Sequence, residues 1–177
     1  PHPAFGLVTP HPPDETALAV ALTFDGEIAA GRGHRLGAND DPARRRRSHL
    51  GATLRSVAPG AVEVEVGFRD ELTQQQGFFH GAVTTAIADT ACGYSALTLM
   101  PAGSEVLSVE FKINLFVPAR GERLVARGQV IRSGRTITVC HGDVYAVTGG
   151  MEGAIQGGVE SHCATMTATM IRVDLGS

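Results

Sequence analysis

The spacing of apolar and polar residues changes period along this chain. In "AVEVEVGF" (Ala61 to Phe68) it is two: Val62, Val64 and Val66 fall on one face, Glu63 and Glu65 on the other. That alternation predicts a half-buried strand. In "FFHGAVTTAIADTACGYSALTLM" (Phe78 to Met100) the alternation stops, and small and apolar residues follow one another for helical length. A buried helix is predicted there. Alternation returns in "EVLSVEFKINLFVPA". Leu107, Val109, Phe111, Ile113, Leu115 and Val117 are expected on one face, with Ser108, Glu110, Lys112, Asn114 and Phe116 on the other. Two further strands, "ERLVARGQVIR" and "RTITVCHGDVYAV", meet at Ser133-Gly134, which reads as a two-residue hairpin. After the glycine-rich turn "TGGMEGAIQGG", a last strand is predicted in "VESHCATMTATMIRV". One long helix followed by four meandering strands predicts an α+β layer, an antiparallel sheet wrapped on one helix.

Residues 1–40 read differently. "PHPAFGLVTPHPPDE" and "GRGHRLGANDD" are rich in Pro, Gly and turn formers, so 1–40 is expected to be a flexible or poorly packed extension and 41–177 the domain. Within the extension, "TALAVALTF" is the one stretch with strand character; the acidic Asp14 and Glu15 before it have the wrong sign for a signal peptide. Residue 1 is Pro rather than Met, so the start is read as processed or the chain as a fragment. Asp41 as N-cap and Pro42 as first helical residue predict a short helix in "DDPARRRRSHLGATL", ended by Gly51. Its run Arg44–Arg47 reads as a solvated surface rather than a nucleic-acid contact, since no aromatic residue interleaves and the net charge is -3. The three cysteines, Cys92, Cys140 and Cys163, have no CxxC spacing and fit reduced thiols in a cytoplasmic protein.

Asp89 stands near the middle of the most apolar long segment. Its presence, with Thr84, Thr85 and Thr90, argues for a buried helix against a membrane span. Projected at 3.6 residues per turn, Ala82, Thr85, Ala86, Gly93 and Ala96 share its face, and all are small. The bulky Val83, Ile87, Tyr94 and Leu97 are expected opposite, against the sheet. Small residues leave room beside the carboxylate for a ligand or for a second backbone. Burying a carboxylate is costly unless it is paired, and no Arg or Lys lies within one turn. Asp89 is therefore a candidate general base or nucleophile. His80 and Gly81 precede the first turn, where free amides can bind an oxyanion and His80 can orient the chain.

"HGAVTTAIADTACGY", "SVEFKINLFVPARGE" and "VIRSGRT", in that order, resemble the PaaI-like hotdog-fold acyl-CoA thioesterases. The resemblance runs from Arg45 to Val173 and leaves out residues 1–40. It implies a hotdog fold, a curved antiparallel sheet around one central helix, in homodimers or dimers of dimers with sites between subunits. It implies hydrolysis of an acyl-CoA, with coenzyme A as part of the substrate and no separate cofactor or metal. By the same resemblance Asp89 is the catalytic carboxylate and Gly81, after His80, the oxyanion glycine. Gln74 is the polar residue six before the His, and Ser108 a hydroxyl reaching over from the facing subunit. Arg132, Gly134 and Arg135 form a hairpin that meets the coenzyme A phosphates. Ala82 departs from the pattern, since many members carry a second Gly there. Activation of water by Asp89 and direct attack to a mixed anhydride both stay open.

Other chemistries lack their arrangements. No GxSxG elbow or phosphate-binding glycine motif is present, nor the paired Asp and His of a hotdog dehydratase. Cys92 has no His beside it on the helix and reads as a small core residue. A turn near Met151 would set Cys140 opposite Cys163 and His141 opposite His162, but neighbours on a strand point to opposite faces, so the four do not converge on a metal. The alternative function is a non-catalytic acyl-CoA-binding hotdog protein, a sensor or scaffold, which needs no carboxylate facing its pocket.

Overall fold

Val62, Val64 and Val66 are buried to within 1% of their surface, as the alternation predicts, and they form the floor on which the helix rests. A computed structural model describes residues 50–101, 104–150 and 158–174. The readings made for residues 1–40, the helix start at Asp41 and the Arg44–Arg47 run lie outside the described residues. The described elements are β1 (Ala52–Ala58), β2 (Ala61–Gly67), a single 3-10 turn (Asp70–Leu72), α1 (Gly81–Leu97), β3 (Ser104–Leu115), β4 (Arg123–Ser133), β5 (Ile137–Thr148) and β6 (Val159–Asp174).

The six strands form one antiparallel sheet in the order β1-β2-β4-β5-β6-β3, with α1 packed on one face: the α+β hotdog architecture. The order corrects two expectations. The four strands after the helix are not a simple meander, because β3 pairs with β6 and forms the edge of the sheet. β1, beginning just after Gly51, was not anticipated as a separate strand; it carries few large apolar residues and lies at the other edge. Gly51 itself takes a left-handed φ of 63°, which suits glycine. The β4–β5 connection is also longer than read: Gly134, Arg135 and Thr136 separate the strands, with the Gly134 N–H donating to Ile137 O at 2.8 Å.

The helix lies very close to the sheet. Gly128 of β4 pairs with Gly142 of β5, and a methyl added to Gly128 would come within 2.4 Å of the Ala91 backbone. Ala88, Ala91, Cys92, Ser95 and Ala96 are fully buried over this part of the sheet. Three of the helix hydroxyls find a carbonyl one turn back: Thr85 donates to Gly81 O, Thr90 to Ala86 O and Ser95 to Ala91 O, all within 2.8 Å. At the helix end, buried Thr98 donates to Ser95 O and accepts from Gly60 N–H, each at 2.7 Å, which ties α1 to the β1–β2 turn.

Candidate active site

The start of α1 is built by its own cap. His80 has extended backbone, and its Nδ1 accepts from the Ala82 N–H at 3.0 Å. His80 O takes the N–H groups of Val83 and Thr84, and the His80 N–H donates to Leu72 O at 2.8 Å. Among the described residues no bond takes the Gly81 N–H, so this amide stays available at the positive end of the helix. The preceding loop is folded back on itself: Thr73 bridges Phe79, and the Gln74 N–H donates to Phe78 O at 2.9 Å. Gln74 and Gly81 are thereby brought into the wall of one cavity of about 290 Å³, shared with Thr84, Leu115 and Phe116.

Asp89 lies eight residues further along the same helix. Ser108 Oγ donates to Asp89 Oδ1 at 2.6 Å, the short length of a charge-assisted bond. Both residues line a second cavity of about 210 Å³. Two expectations change here. Ser108 pairs with Met170 and Glu110 with Thr169, so Val109 is an extra residue in a β-bulge. The bulge resets the alternation: Ser108 turns to the helix side with Phe111, Ile113 and Leu115, while Leu107 falls on the other face. The bond to Asp89 is consequently made within one chain and needs no serine from a facing subunit. Tyr94 and Leu97, expected opposite Asp89, line the same cavity as the carboxylate.

Gly81 and Asp89 are about 12 Å apart along the helix at 1.5 Å rise per residue. One carbonyl group cannot touch both in a single chain. Arg132 and Arg135 are exposed at the β4–β5 hairpin, and neither lines these cavities.

A second polar cluster, not foreseen as a unit, occupies the sheet face away from α1. Asp143 accepts from His141 Nε2 at 3.1 Å on one oxygen and His162 Nε2 at 2.9 Å on the other. Burial alone would raise the Asp143 carboxyl; hydrogen bonds from Thr165, His141 and His162 outweigh it and hold the group below the usual carboxylate range. Tyr145 stacks on His162, and Arg127 lies over Tyr145 while forking onto Glu160 at 2.6 and 2.8 Å. That fork is the main cause that holds the Glu160 carboxyl down and the Arg127 guanidinium up. The signal for Asp143 was present in the sequence, since it stands two residues from His141 on one strand face. Cys140 pairs with Ala168 rather than Cys163, because the β5–β6 loop is longer than the turn assumed. Both cysteines are buried on the helix side, where burial pushes each thiol up to about 11. Among the described residues no three His, Cys, Asp or Glu side chains are grouped to hold a metal ion, and no described helix is long and apolar enough to cross a membrane.

Known proteins resemble this chain in sequence and fold. The thioesterase superfamily model matches residues 76–152, which take in α1 and the three strands β3, β4 and β5. A thioesterase family protein from Silicibacter pomeroyi superimposes with a TM-score of 0.66 at 39% identity, over 76% of this chain and 90% of that one. The PaaI protein of E. coli, from the phenylacetic acid degradation operon, shares the fold with a TM-score of 0.64 at 17% identity, over 91% of this chain and 96% of its own. Human acyl-coenzyme A thioesterase 13 is 34% identical over 86 residues, 48% of this chain and 61% of the relative. The chain thus spans about three fifths of the length of the curated relatives it matches. On this agreement of sequence and fold, the chain belongs to the thioesterase family, with the hotdog fold.

Proposed function

We propose that the chain hydrolyses an acyl-CoA thioester in a site assembled from two copies. The observation that carries this reading is the Asp89–Ser108 pair on a cavity wall, two helical turns from the available Gly81 amide. β3 is a sheet edge, with Leu107, Val109, Phe111, Leu115, Phe116 and Val117 all at least 45% exposed on or just beyond it. An unpaired edge of that length and apolarity favours pairing with a second strand. Ser108 marks the Asp89 cavity on β3 and Leu115 the Gly81 cavity. Antiparallel pairing of two β3 strands about a two-fold axis near Phe111 and Lys112 sets Ser108 of one copy against Leu115 of the other. The Asp89 cavity of one chain then faces the Gly81 cavity of its partner.

In that site the thioester oxygen accepts from the Gly81 N–H, and the helix dipole favours the negative charge that develops there. Gln74 lies on the same wall for a second bond to the oxygen or sulfur. Ser108 fixes one oxygen of Asp89, and the other faces the carbonyl carbon. It takes the proton of an attacking water, or adds to the carbon itself to give an anhydride that water then opens. In both routes a C–O bond forms, the C–S bond breaks, and the coenzyme A thiolate leaves and takes up a proton. Arg132 and Arg135, exposed on their hairpin, suit the coenzyme A phosphates.

Release of free thiol from a panel of acyl-CoAs, followed with a thiol reagent, tests the reading. Turnover with at least one acyl-CoA, lost in Asp89→Asn, is expected; a folded chain that binds acyl-CoA and releases no thiol is a binding protein instead.

A further inference from the structure

Apart from Gly81 at its first turn, α1 has one glycine, Gly93, well inside the helix. Glycine is less favourable there than alanine, since it loses more freedom on folding and adds no contact. Elsewhere in this fold a glycine answers to packing. A Cβ on Gly128 would meet the Ala91 backbone at 2.4 Å, and one on Gly142 the Cys92 Sγ at 2.8 Å. Gly93 is different. Its φ is not in the left-handed region, and a Cβ there would meet Val106 Cγ1 at 3.8 Å, an ordinary contact. Among the described residues, nothing in the packing of the chain requires the missing side chain. What Gly93 borders is the Asp89 cavity. It stands one turn after Asp89 on the same face of α1, and Leu97 stands one turn further, each step about 6 Å along the axis. Val106 and the fully buried Met170 form the sheet side. The walls are mixed in character: Thr90 and Tyr94 also line the cavity, and Arg172 stands beside Val106 on the same face of the sheet. What Gly93 adds to this site is space.

We propose that the absent side chain of Gly93 is the room for the acyl tail, and that it makes the chain prefer acyl groups of hexanoyl size to acetyl. This rests on the reading above, in which the carbonyl lies between Asp89 of one copy and Gly81 of the other. The two substituents of the carbonyl then occupy the two cavities. The Gly81 cavity is bordered by Phe116, Val117 and Pro118, which are exposed and follow the end of β3. That is the open route the long pantetheine arm needs to reach solvent. The Asp89 cavity is walled by the buried Met170 and Leu97, which suits a tail that ends inside the protein. Its volume is about 210 Å³, and a dry cavity of about 150 Å³ takes a benzene ring, so a hexanoyl tail fits. An acetyl group stops beside Asp89 and leaves the space over Gly93 unfilled. A longer tail passes over Gly93 and buries its methylenes against Leu97 and Val106, which favours it.

Hydrolysis of hexanoyl-CoA and acetyl-CoA by wild type, Gly93→Ala and Gly93→Val tests this. Wild type should prefer hexanoyl-CoA by at least about tenfold in kcat/KM, the scale of added methylenes in a fitting pocket. Gly93→Val puts two methyl groups in the path of the tail. It should lower that preference at least about tenfold through loss on hexanoyl-CoA, with acetyl-CoA within about threefold of wild type. Gly93→Ala should lower it less and should raise the Tm, because alanine is better in a helix and its Cβ has room. An unchanged preference in Gly93→Val, an equal loss on both substrates, or a wild type that uses acetyl-CoA as well as hexanoyl-CoA overturns the Gly93 proposal while thioester hydrolysis stands. A lowered Tm in Gly93→Ala, or a Gly93→Val chain that sediments as a monomer where wild type is a dimer, assigns Gly93 to packing and overturns it as well. Gly93→Ala and the wild-type ratio decide the matter should Gly93→Val fail to fold. A wild type that hydrolyses neither these nor any other acyl-CoA of the panel overturns the thioesterase reading itself, and the proposal with it.

Discussion

Gly128 of β4 lies directly across from Gly142 of β5, and the helix that carries Asp89 rests on this pair. The position of the carboxylate is set by how closely α1 can approach the sheet there. A Cβ on Gly128 meets the Ala91 backbone at 2.4 Å, and backbone cannot move aside. A Cβ on Gly142 meets the Cys92 Sγ at 2.8 Å, a side chain that can be removed. Gly128→Ala is therefore expected to cost about 1–3 kcal/mol, the range for overpacking. Gly142→Ala should also destabilise, but Cys92→Ala in the same chain should recover much of the loss. Urea midpoints of the single and double variants check this; a Cys92→Ala background that rescues both glycine variants equally contradicts the difference.

The catalytic prediction follows from the bond between Ser108 and Asp89. Asp89→Asn keeps the shape and removes the anion, so thioester hydrolysis should fall by at least about a hundredfold. Thermal melting should show the fold retained. Ser108→Ala frees one Asp89 oxygen and should lower kcat less than Asp89→Asn does. Near wild-type turnover in folded Asp89→Asn would remove the carboxylate from the mechanism.

Much of this was legible in the residues, and what escaped has physical causes. Period-two alternation identified β2, β4, β5 and β6 because each has one face against the helix. In β3 the same rule assigned the wrong faces before the bulge, since alternation read from a sequence assumes that no residue is inserted. Val109 breaks the count, and the break turns Ser108 toward Asp89 in its own chain. The sheet order was hidden because adjacent strands in sequence need not be adjacent in space; β3 crosses to pair with β6. Asp89 was visible as a carboxylate among small residues, whereas its bond to Ser108 was not, because β3 runs back along the helix, a relationship no local pattern carries.

On the opposite sheet face, stability should depend on acid pH through Asp143 and Glu160. Both carboxyls are held below their ordinary values in the folded chain. Protons therefore bind the unfolded chain more tightly at these sites. The stabilisation is present in full above the unfolded carboxylate values, about pH 4, and is lost as pH falls through the lower folded values. A chain with both Asp143→Asn and Glu160→Gln should be less stable than wild type at pH 7, and the gap should narrow below about pH 4. Urea unfolding across that range measures it; a gap that widens in acid would mean the two carboxylates do not set the acid limb.

Arg135 tests the contact with coenzyme A. A phosphate contact far from the carbonyl acts equally on bound substrate and transition state, so Arg135→Ala should raise KM with little change in kcat. Higher salt should shrink the difference from wild type, as expected for an exposed ionic contact. An unchanged KM returns Arg135 to the role of a solvated hairpin residue.

The two-copy site predicts complementation between two inactive chains. Asp89→Asn lacks the carboxylate. Gly81→Pro removes the amide N–H, and the change suits the position: residue 81 is the first of the helix, where Pro is accepted. His80, with φ −65° and ψ 139°, already has the extended backbone that the residue before a Pro requires. A Cβ at residue 81 meets only the tip of Leu115, a flexible and exposed side chain. Each variant alone should be nearly inactive. Mixed after unfolding and refolded together, half of the dimers are hybrids. In each hybrid, one site receives the intact Gly81 of one chain and the intact Asp89 of the other. About a quarter of wild-type activity should return, the share expected from random two-fold pairing with one working site per hybrid. If Gly81 and Asp89 served the same site from one chain, every hybrid site would hold one defect and the mixture would stay inactive.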